Sequence, residues 1–241
     1  NTASGSGAMN STTTGDDNTA MGVSALYTNT TGDDNTAIGR LALSSVTTAS
    51  DNTAVGSRAG DAITTGADNV AVGKNALGAT TTAADNIAIG SNSLYTNTTG
   101  ASNVSIGTSA MYNSNSSNNV AIGATALNAN TTGDAQVSVG KGSMAANTTG
   151  AENTAIGYQA LNANTTASAN TAVGFEALKV STTATKNVAV GHAALDACTT
   201  GSWNTAVGET ALTSLTDGEG NVAIGQESLD SLTTGDSNTG C

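Results

Sequence analysis

The chain has no proline, one Phe, one Trp, four Tyr and one His among its 241 residues. Aromatics at 2% exclude a large core built on ring packing, so burial falls to Ala, Val, Ile and Leu. No stretch resembles a membrane-spanning run, which argues against direct membrane insertion. Basic residues are scarce too: six against eighteen acidic ones leave a net charge of −12, which argues against nucleic acid and anionic membrane as partners. Charged residues make up only 10%, and Ser, Thr and Asn fill the gap. A chain so polar and so weakly charged is either disordered or a regular array, and periodicity decides between them.

The period is visible in the Asn residues that precede a small or β-branched pair. They fall at 1, 18, 35, 52, 69, 86, 103 and 119, then Gln136, then 153, 170, 187, 204, 221 and 238. Every interval is 17 residues except the 16 from Asn103 to Asn119. Residues 1–241 therefore read as one uninterrupted repeat array, with fourteen full repeats over 1–237 and a truncated one at 238–241. The chain begins on the first letter of a repeat with no Met and no leader, and so reads as a processed or excised part of something longer.

Counting Asn as position 1, position 2 is Thr, Val or Ile, position 3 is Ala or Ser, and position 4 is Ile or Val except at Ser4 and Met21. Position 5 is always Gly: from the second repeat on, these are Gly22, Gly39, Gly56, Gly73, Gly90, Gly107, Gly123, Gly140, Gly157, Gly174, Gly191, Gly208 and Gly225. Position 8 is Ala or Ser, and position 9 is Leu or Met except at Gly60. Thr-Thr followed by Gly or Ala usually fills positions 13 to 15. Positions 6, 7, 10, 16 and 17 vary, and all six basic residues sit at them: Arg40, Arg58, Lys74, Lys141, Lys179 and Lys186. Those positions are expected to face solvent.

A 17-residue unit is too short for a helix pair and lacks helical spacing, but it suits one turn of a parallel β-solenoid, a β-roll. The phrase N-T-A-I-G is expected to form one strand and the segment around A-L a second strand or extended side. Gly at position 5 and the Thr-Thr-Gly segments supply the corners. Strand spacing of about 4.8 Å gives a rod of about 65 Å for fourteen coils. Positions 4 and 9 are expected to make Ile/Val and Leu/Met columns in the stack. Position 1 is expected to form a structural amide ladder through Asn18, Asn35, Asn52, Asn69, Asn86, Asn103, Asn119, Asn153, Asn170, Asn187, Asn204 and Asn221, with Gln136 keeping the amide. Positions 2 and 4 face one side of a strand and 1, 3 and 5 the other, yet both sets are restricted. A narrow coil has one inside, so the second face points to packing against another copy, with threefold packing of small Ala and Gly faces; turn geometry alone is the alternative.

The phrase N-[TV]-A-[IV]-G-x-x-A-L-x-x-N-T-T-G, carried by Asn18, Ala20, Gly22, Ala25, Leu26 and their counterparts, resembles the repeats of long surface fibres. It is similar to the head repeats of trimeric autotransporter adhesins, and to the 17-residue repeats of phage tail fibres and surface proteins that end in an endosialidase-type chaperone. The resemblance covers essentially the whole chain. It implies left-handed parallel β-rolls wound into a homotrimer, extracellular on a cell surface or virion, that supports attachment to a host-cell or surface glycan or protein. No anchor, coiled-coil stalk or chaperone segment is recognisable in these residues.

Chemistry is sparse. His192 sits at variable position 6 with no second His near it, no nucleophile elbow or phosphate loop is present, and neither an enzyme nor a cofactor is expected. Asp17, Asp34, Asp51, Asp68 and Asp85 recur at position 17 of five successive coils, where a cation such as Ca²⁺ could bridge them; Asp before a corner is also ordinary turn chemistry. Asn29, Asn97, Asn130, Asn147 and Asn164 fit N-x-[ST], incidental to a Thr-rich turn. Cys198 shares position 12 with Val46, Ile63 and Leu215, which suggests a buried thiol, and Cys241 lies too far along the stack to pair with it. Besides a shaft, two binding alternatives stand. Exposed Tyr158, Phe175 and Trp203 could contact glycan, although they need not form one platform. The Thr-Thr column suggests ice binding, but adjacent Thr residues point apart, and Asn115, Ser116 and Asp217 interrupt it.

Overall fold

The computed structural model describes residues 1–241. The chain is an all-β parallel solenoid with one short strand per repeat and no helix. It divides into two compact units, Asn1–Asn119 and Val120–Cys241. The first carries β1 (Thr2–Ser4), β2 (Thr19–Met21), β3 (Thr36–Ile38), β4 (Thr53–Val55), β5 (Val70–Val72), β6 (Ile87–Ile89) and β7 (Val104–Ile106). The second carries β8 (Val120–Ile122), β9 (Val137–Val139), β10 (Thr154–Ile156), β11 (Thr171–Val173), β12 (Val188–Val190), β13 (Thr205–Val207), β14 (Val222–Ile224) and β15 (Thr239–Gly240). Within each unit successive strands pair in parallel with equal repeat positions opposite, as in Thr36↔Thr53, Ala37↔Ala54 and Ile38↔Val55.

Strands are confined to positions 2–4, and the expected second strand around A-L is absent. The backbone there turns left-handed at positions 7 and 9. In the coil 153–169, Gly157 has φ 143, Gln159 φ 52, Leu161 φ 52 and Ala169 φ 60. A left-handed L-residue costs roughly 1–2 kcal/mol, so hydrogen bonding and burial must outweigh two or three such residues in each coil. They do so by leaving few N–H groups idle. Thr154 N–H donates to Asn170 in the following coil (2.8 Å), Gly157 N–H to Val139 in the preceding one (2.7 Å), Gln159 N–H back to Lys141 (3.1 Å) and Leu161 N–H forward to Ala177 (3.0 Å). Glycines outside position 5 mark these columns: Gly7 and Gly142 at position 7, Gly60 at 9 and Gly220 at 17 all have positive φ.

The interior belongs to positions 1, 3, 8, 9, 12 and 15. In the coil 153–169 these are Asn153, Ala155, Ala160, Leu161, Asn164 and Ala167, all buried. The expectation that position 4 joins Leu in the core is corrected: Ala at position 3 points inward, and Ile38, Ile89, Ile122 and Ile156 lie on the outer surface. The coil is narrow, one Leu fills its middle, and only a methyl fits opposite. The small-residue face therefore cannot be the one offered to another copy. Each buried Leu contributes about 1.5–3 kcal/mol.

One coil, 103–118, is a residue short. Its Asn115 side chain fills the gap: Oδ1 accepts from Thr98 N–H (3.0 Å) and Thr99 N–H (2.9 Å), where elsewhere a position-13 carbonyl accepts. Asn119 N–H still reaches Asn103 Oδ1 at 3.0 Å, so position 1 keeps its place.

Candidate functional site

The Asn residues at position 1 act in two directions. Asn153 Nδ2 crosses its own coil to donate to the Ala167 carbonyl (2.9 Å), while its Oδ1 accepts Asn170 N–H of the following coil (3.0 Å). One amide thus closes a coil and fastens it to the next. The same pattern runs from Asn18 through Asn119 in the first unit, and through the second unit to Asn238. Gln136 takes part, with Nε2 on the Gly150 carbonyl and Oε1 accepting Asn153 N–H. These buried polar groups satisfy one another, as a low-dielectric interior requires.

Position 12 is a second buried column of mixed character. Asn29, Asn97, Asn130, Asn147 and Asn164 are all fully buried, and each Nδ2 donates to the position-15 carbonyl three residues on. Buried in this way, they hold the turn and offer no surface for a glycan. Val46, Ile63 and Leu215 fill the same place with carbon, whereas the hydroxyls of Thr80 and Ser181 find no partner. Cys198 is fully buried, with Sγ 3.3 Å from the Gly201 carbonyl. Burial pushes its pKa from 9.0 up to about 11; the Gly201 contact pulls it down and Asp217 adds to the rise.

Asp17, Asp34, Asp51, Asp68 and Asp85 are exposed and all left-handed, with φ between 55 and 60. Asp and Asn tolerate that conformation better than other side chains, which accounts for the column through the backbone. No group of three or more His, Cys, Asp or Glu is placed to hold a metal ion.

Tyr158, Phe175 and His192 occupy position 6 of three successive coils and stack ring on ring. Centroids are 5.2 Å apart at each step, with interplanar angles of 16° and 8°. Their spacing in sequence carries this signal, since equal positions must superpose in a solenoid, yet His192 is not legible as a partner until the rings are placed. The rings cover one another's faces, so the central Phe175 has no open face for a sugar. Trp203 stands apart at position 17: Lys186 Nζ lies 3.8 Å from its ring centroid, and the ring borders an open notch lined also by Glu219, Gly220, Asp236 and Ser237. Position-13 Thr hydroxyls are already used, donating to the next coil's carbonyl as in Thr30 to Thr47 (2.9 Å), while position-14 Thr side chains are exposed.

The outer strand face is a continuous surface feature of each unit. In the first unit Met21, Ile38, Val55, Val72, Ile89 and Ile106 form its position-4 column; in the second it runs from Ile122 to Ile224. Met21 is 48% exposed and Ile224 50%. Position 2 adds Thr, Val and Ile beside it, including Ile87 and Val188. No helix is long and apolar enough to cross a membrane. Comparison with protein-family models, curated proteins and solved structures finds no match.

Proposed function

We propose that this chain is a non-catalytic structural shaft of an extracellular fibre or adhesin, self-associating side by side and supporting attachment to a surface. The observation that carries this reading is the outer strand face, where Ile or Val repeats in every full coil from Ile38 to Ile224 with no covering element. Soluble monomers rarely expose contiguous apolar patches above a few hundred Å². Covering such columns with the same columns of further copies removes them from water, and closed cyclic symmetry is the usual way to do so. Three copies and left-handed winding are what the resemblance to adhesin and tail-fibre repeats implies, and unpaired strand edges favour end-to-end continuation into filaments. Recognition of a host-cell or surface glycan or protein would then fall to the variable outer letters at positions 6, 7, 10 and 17. Sedimentation equilibrium across a wide concentration range tests the assembly: a trimer is expected, Ile156→Lys should weaken it, and a folded parent chain that stays monomeric throughout would sink the proposal.

A second reading, a carbohydrate contact, is favoured at one place. Trp203 is 57% exposed and borders an open notch, a geometry that suits a sugar ring better than the closed stack at Tyr158 and Phe175. A glycan screen comparing the parent with Trp203→Ala should lose its signal in the variant.

A further inference from the structure

Each strand is flanked by two corners, positions 16 and 17 before it and positions 6 and 7 after it. The charges on these corners are arranged by coil. In the first unit, Arg40, Arg58 and Lys74 follow the strand in three consecutive coils, and Asp51, Asp68 and Asp85 end those same coils. The neighbouring coils 86–102 and 103–118 carry no charge on either flank. In the second unit Lys141 has Glu152 in its coil. In the coil 170–186 the signs are exchanged, with Glu176 at position 7 and Lys186 at position 17. Each flank cation therefore has an opposite charge on the opposite flank of its own coil, even where the polarity reverses; coils 204–220 and 221–237, which have no flank cation, carry acids on both flanks, Glu209 with Glu219 and Glu227 with Asp236.

These charges do not reach one another across the strand within one chain. The flanks are separated by the strand and its bordering residues, about 20 Å of extended chain. None of the five cations bridges to the opposite flank: Arg58 lies close enough to Asp61 of its own coil to offset part of the burial-driven rise in that carboxyl's pKa, Lys186 lies over Trp203, and Glu176 pairs with Lys179 at 2.9 Å. Side-by-side packing through the strand face changes this. A rotation axis parallel to the stack keeps each coil at its own height and sets the trailing flank of one copy against the leading flank of the next. A two-fold axis along the strands would instead run the copies antiparallel and set like flank on like flank, Asp on Asp.

We infer that the paired flank charges bind copies of this chain to one another in parallel, coil against equal coil. Arg40 meets the Asp34 and Asp51 level of the neighbour, Arg58 the Asp51 and Asp68 level, Lys74 the Asp68 and Asp85 level, Lys141 the Glu152 level, and Lys186 meets Glu176. Adjacent levels differ by about 4.8 Å, within reach of a Lys or Arg side chain. The apolar face supplies the adhesion and is nearly uniform along the stack, so by itself it permits slippage by a coil or reversal of direction. Charges at unlike heights exclude both, as electrostatic complementarity sets register more than affinity. The inference rests on the self-association proposed above.

The test uses the full chain with Cys241→Ser. Arg58→Asp should weaken association about tenfold at low salt and much less at high salt, and adding Asp68→Lys, its partner in the equal coil, should recover most of that loss. Lys at position 17 is already accommodated at Lys186, φ 59, and circular dichroism checks that each variant is folded. A second variant carrying Arg58→Cys and Asp68→Cys, treated with a short bismaleimide, should yield 58–68 links between chains. A parent that remains monomeric overturns the assembly proposal itself. A parent that associates while charge reversal has no effect, or while 58–58 links dominate, overturns the charge inference and leaves the apolar face standing.

Discussion

Gly123 and Gly142 are both glycines of left-hand φ in adjoining coils of the second unit, and replacing each by Ala should give very different results. At Gly142, φ is 69, a conformation L-residues elsewhere in its column adopt, and an added Cβ would have nothing closer than Gln159 Cγ at 3.6 Å. The strain of roughly 1–2 kcal/mol is offset in part by about 0.4–1 kcal/mol from the stiffer unfolded chain. The net loss should be about 1 kcal/mol or less. At Gly123, φ is 133, and a Cβ would stand 2.6 Å from both the carbonyl carbon and oxygen of Gly140 and 3.0 Å from Lys141 N. Those atoms are backbone, held by the bond from Gly140 N–H to the Ile122 carbonyl at 2.7 Å, so relief requires the ladder to open. Strain of about 1–3 kcal/mol plus a displaced ladder bond of about 1 kcal/mol and the overlap itself puts the loss at about 3–5 kcal/mol. Urea unfolding followed by circular dichroism measures the total. Hydrogen exchange is needed beside it, because a repeat array can open locally around a defect without global unfolding. If Gly123→Ala and Gly142→Ala unfold within 1 kcal/mol of each other, the close approach between coils is not what requires glycine at position 5.

Three further outcomes follow from the interior. Thr80→Val and Ser181→Val should each stabilise the chain by about 1–2 kcal/mol in urea melts, because the hydroxyls are buried without a partner and the column accepts Val46 and Ile63; a loss of stability would show that hidden partners exist. Asn170→Ala should cost about 2–4 kcal/mol by orphaning the Ala184 carbonyl and Asn187 N–H, visible as faster exchange at Asn187, whereas unchanged exchange would remove the ladder from the account. For Cys198, a folded pKa raised to about 11 means the thiol's contribution to stability is fully present below pH 9 and drains away as pH rises from 9 to 11. Thiol titration at pH 8 should label Cys241 at once and Cys198 only on unfolding, and fast labelling of both would contradict the burial.

Period, stacking and the amides at position 1 are legible in the sequence because a solenoid turns equal spacing into equal height. The direction of each side chain is less so. Alternation divides the strand into positions 1, 3 and 5 against 2 and 4, and hydrophobicity then favours Ile and Val as the buried set. Volume decides otherwise: Leu161 already fills the coil, leaving room for Ala155 and none for Ile156. A quieter signal was present, since Ser105 and Ser138 replace Ala at position 3 and pair with Ser93 and Ser143 inside. The missing second strand has a similar cause. A Leu with φ near 50 has no signature of its own, and only Gly60, standing where every other repeat has Leu or Met, betrays that the backbone there is left-handed. Among candidate sites, the Asp column is legible in the sequence both as carboxylates a cation could bridge and as turn chemistry, and its left-handed φ values belong to the second; the stacked rings become a closed unit only when His192 joins them.

The coil that lost a residue shows where this architecture tolerates changes in length. Asn103 still closes it, with Nδ2 on the Ser116 carbonyl at 2.8 Å, and the Ser114 and Ser116 hydroxyls meet at 2.8 Å where a longer chain would pass. The missing residue falls in the corner between positions 12 and 16, and the strand and the amides stay in place, since Asn119 N–H still reaches Asn103 Oδ1. Insertions should be absorbed at the same corner. A recognition loop grafted at this point, in any coil, would be carried at a height fixed by the stack, making the solenoid a graduated scale on which new binding segments can be placed at intervals of one coil.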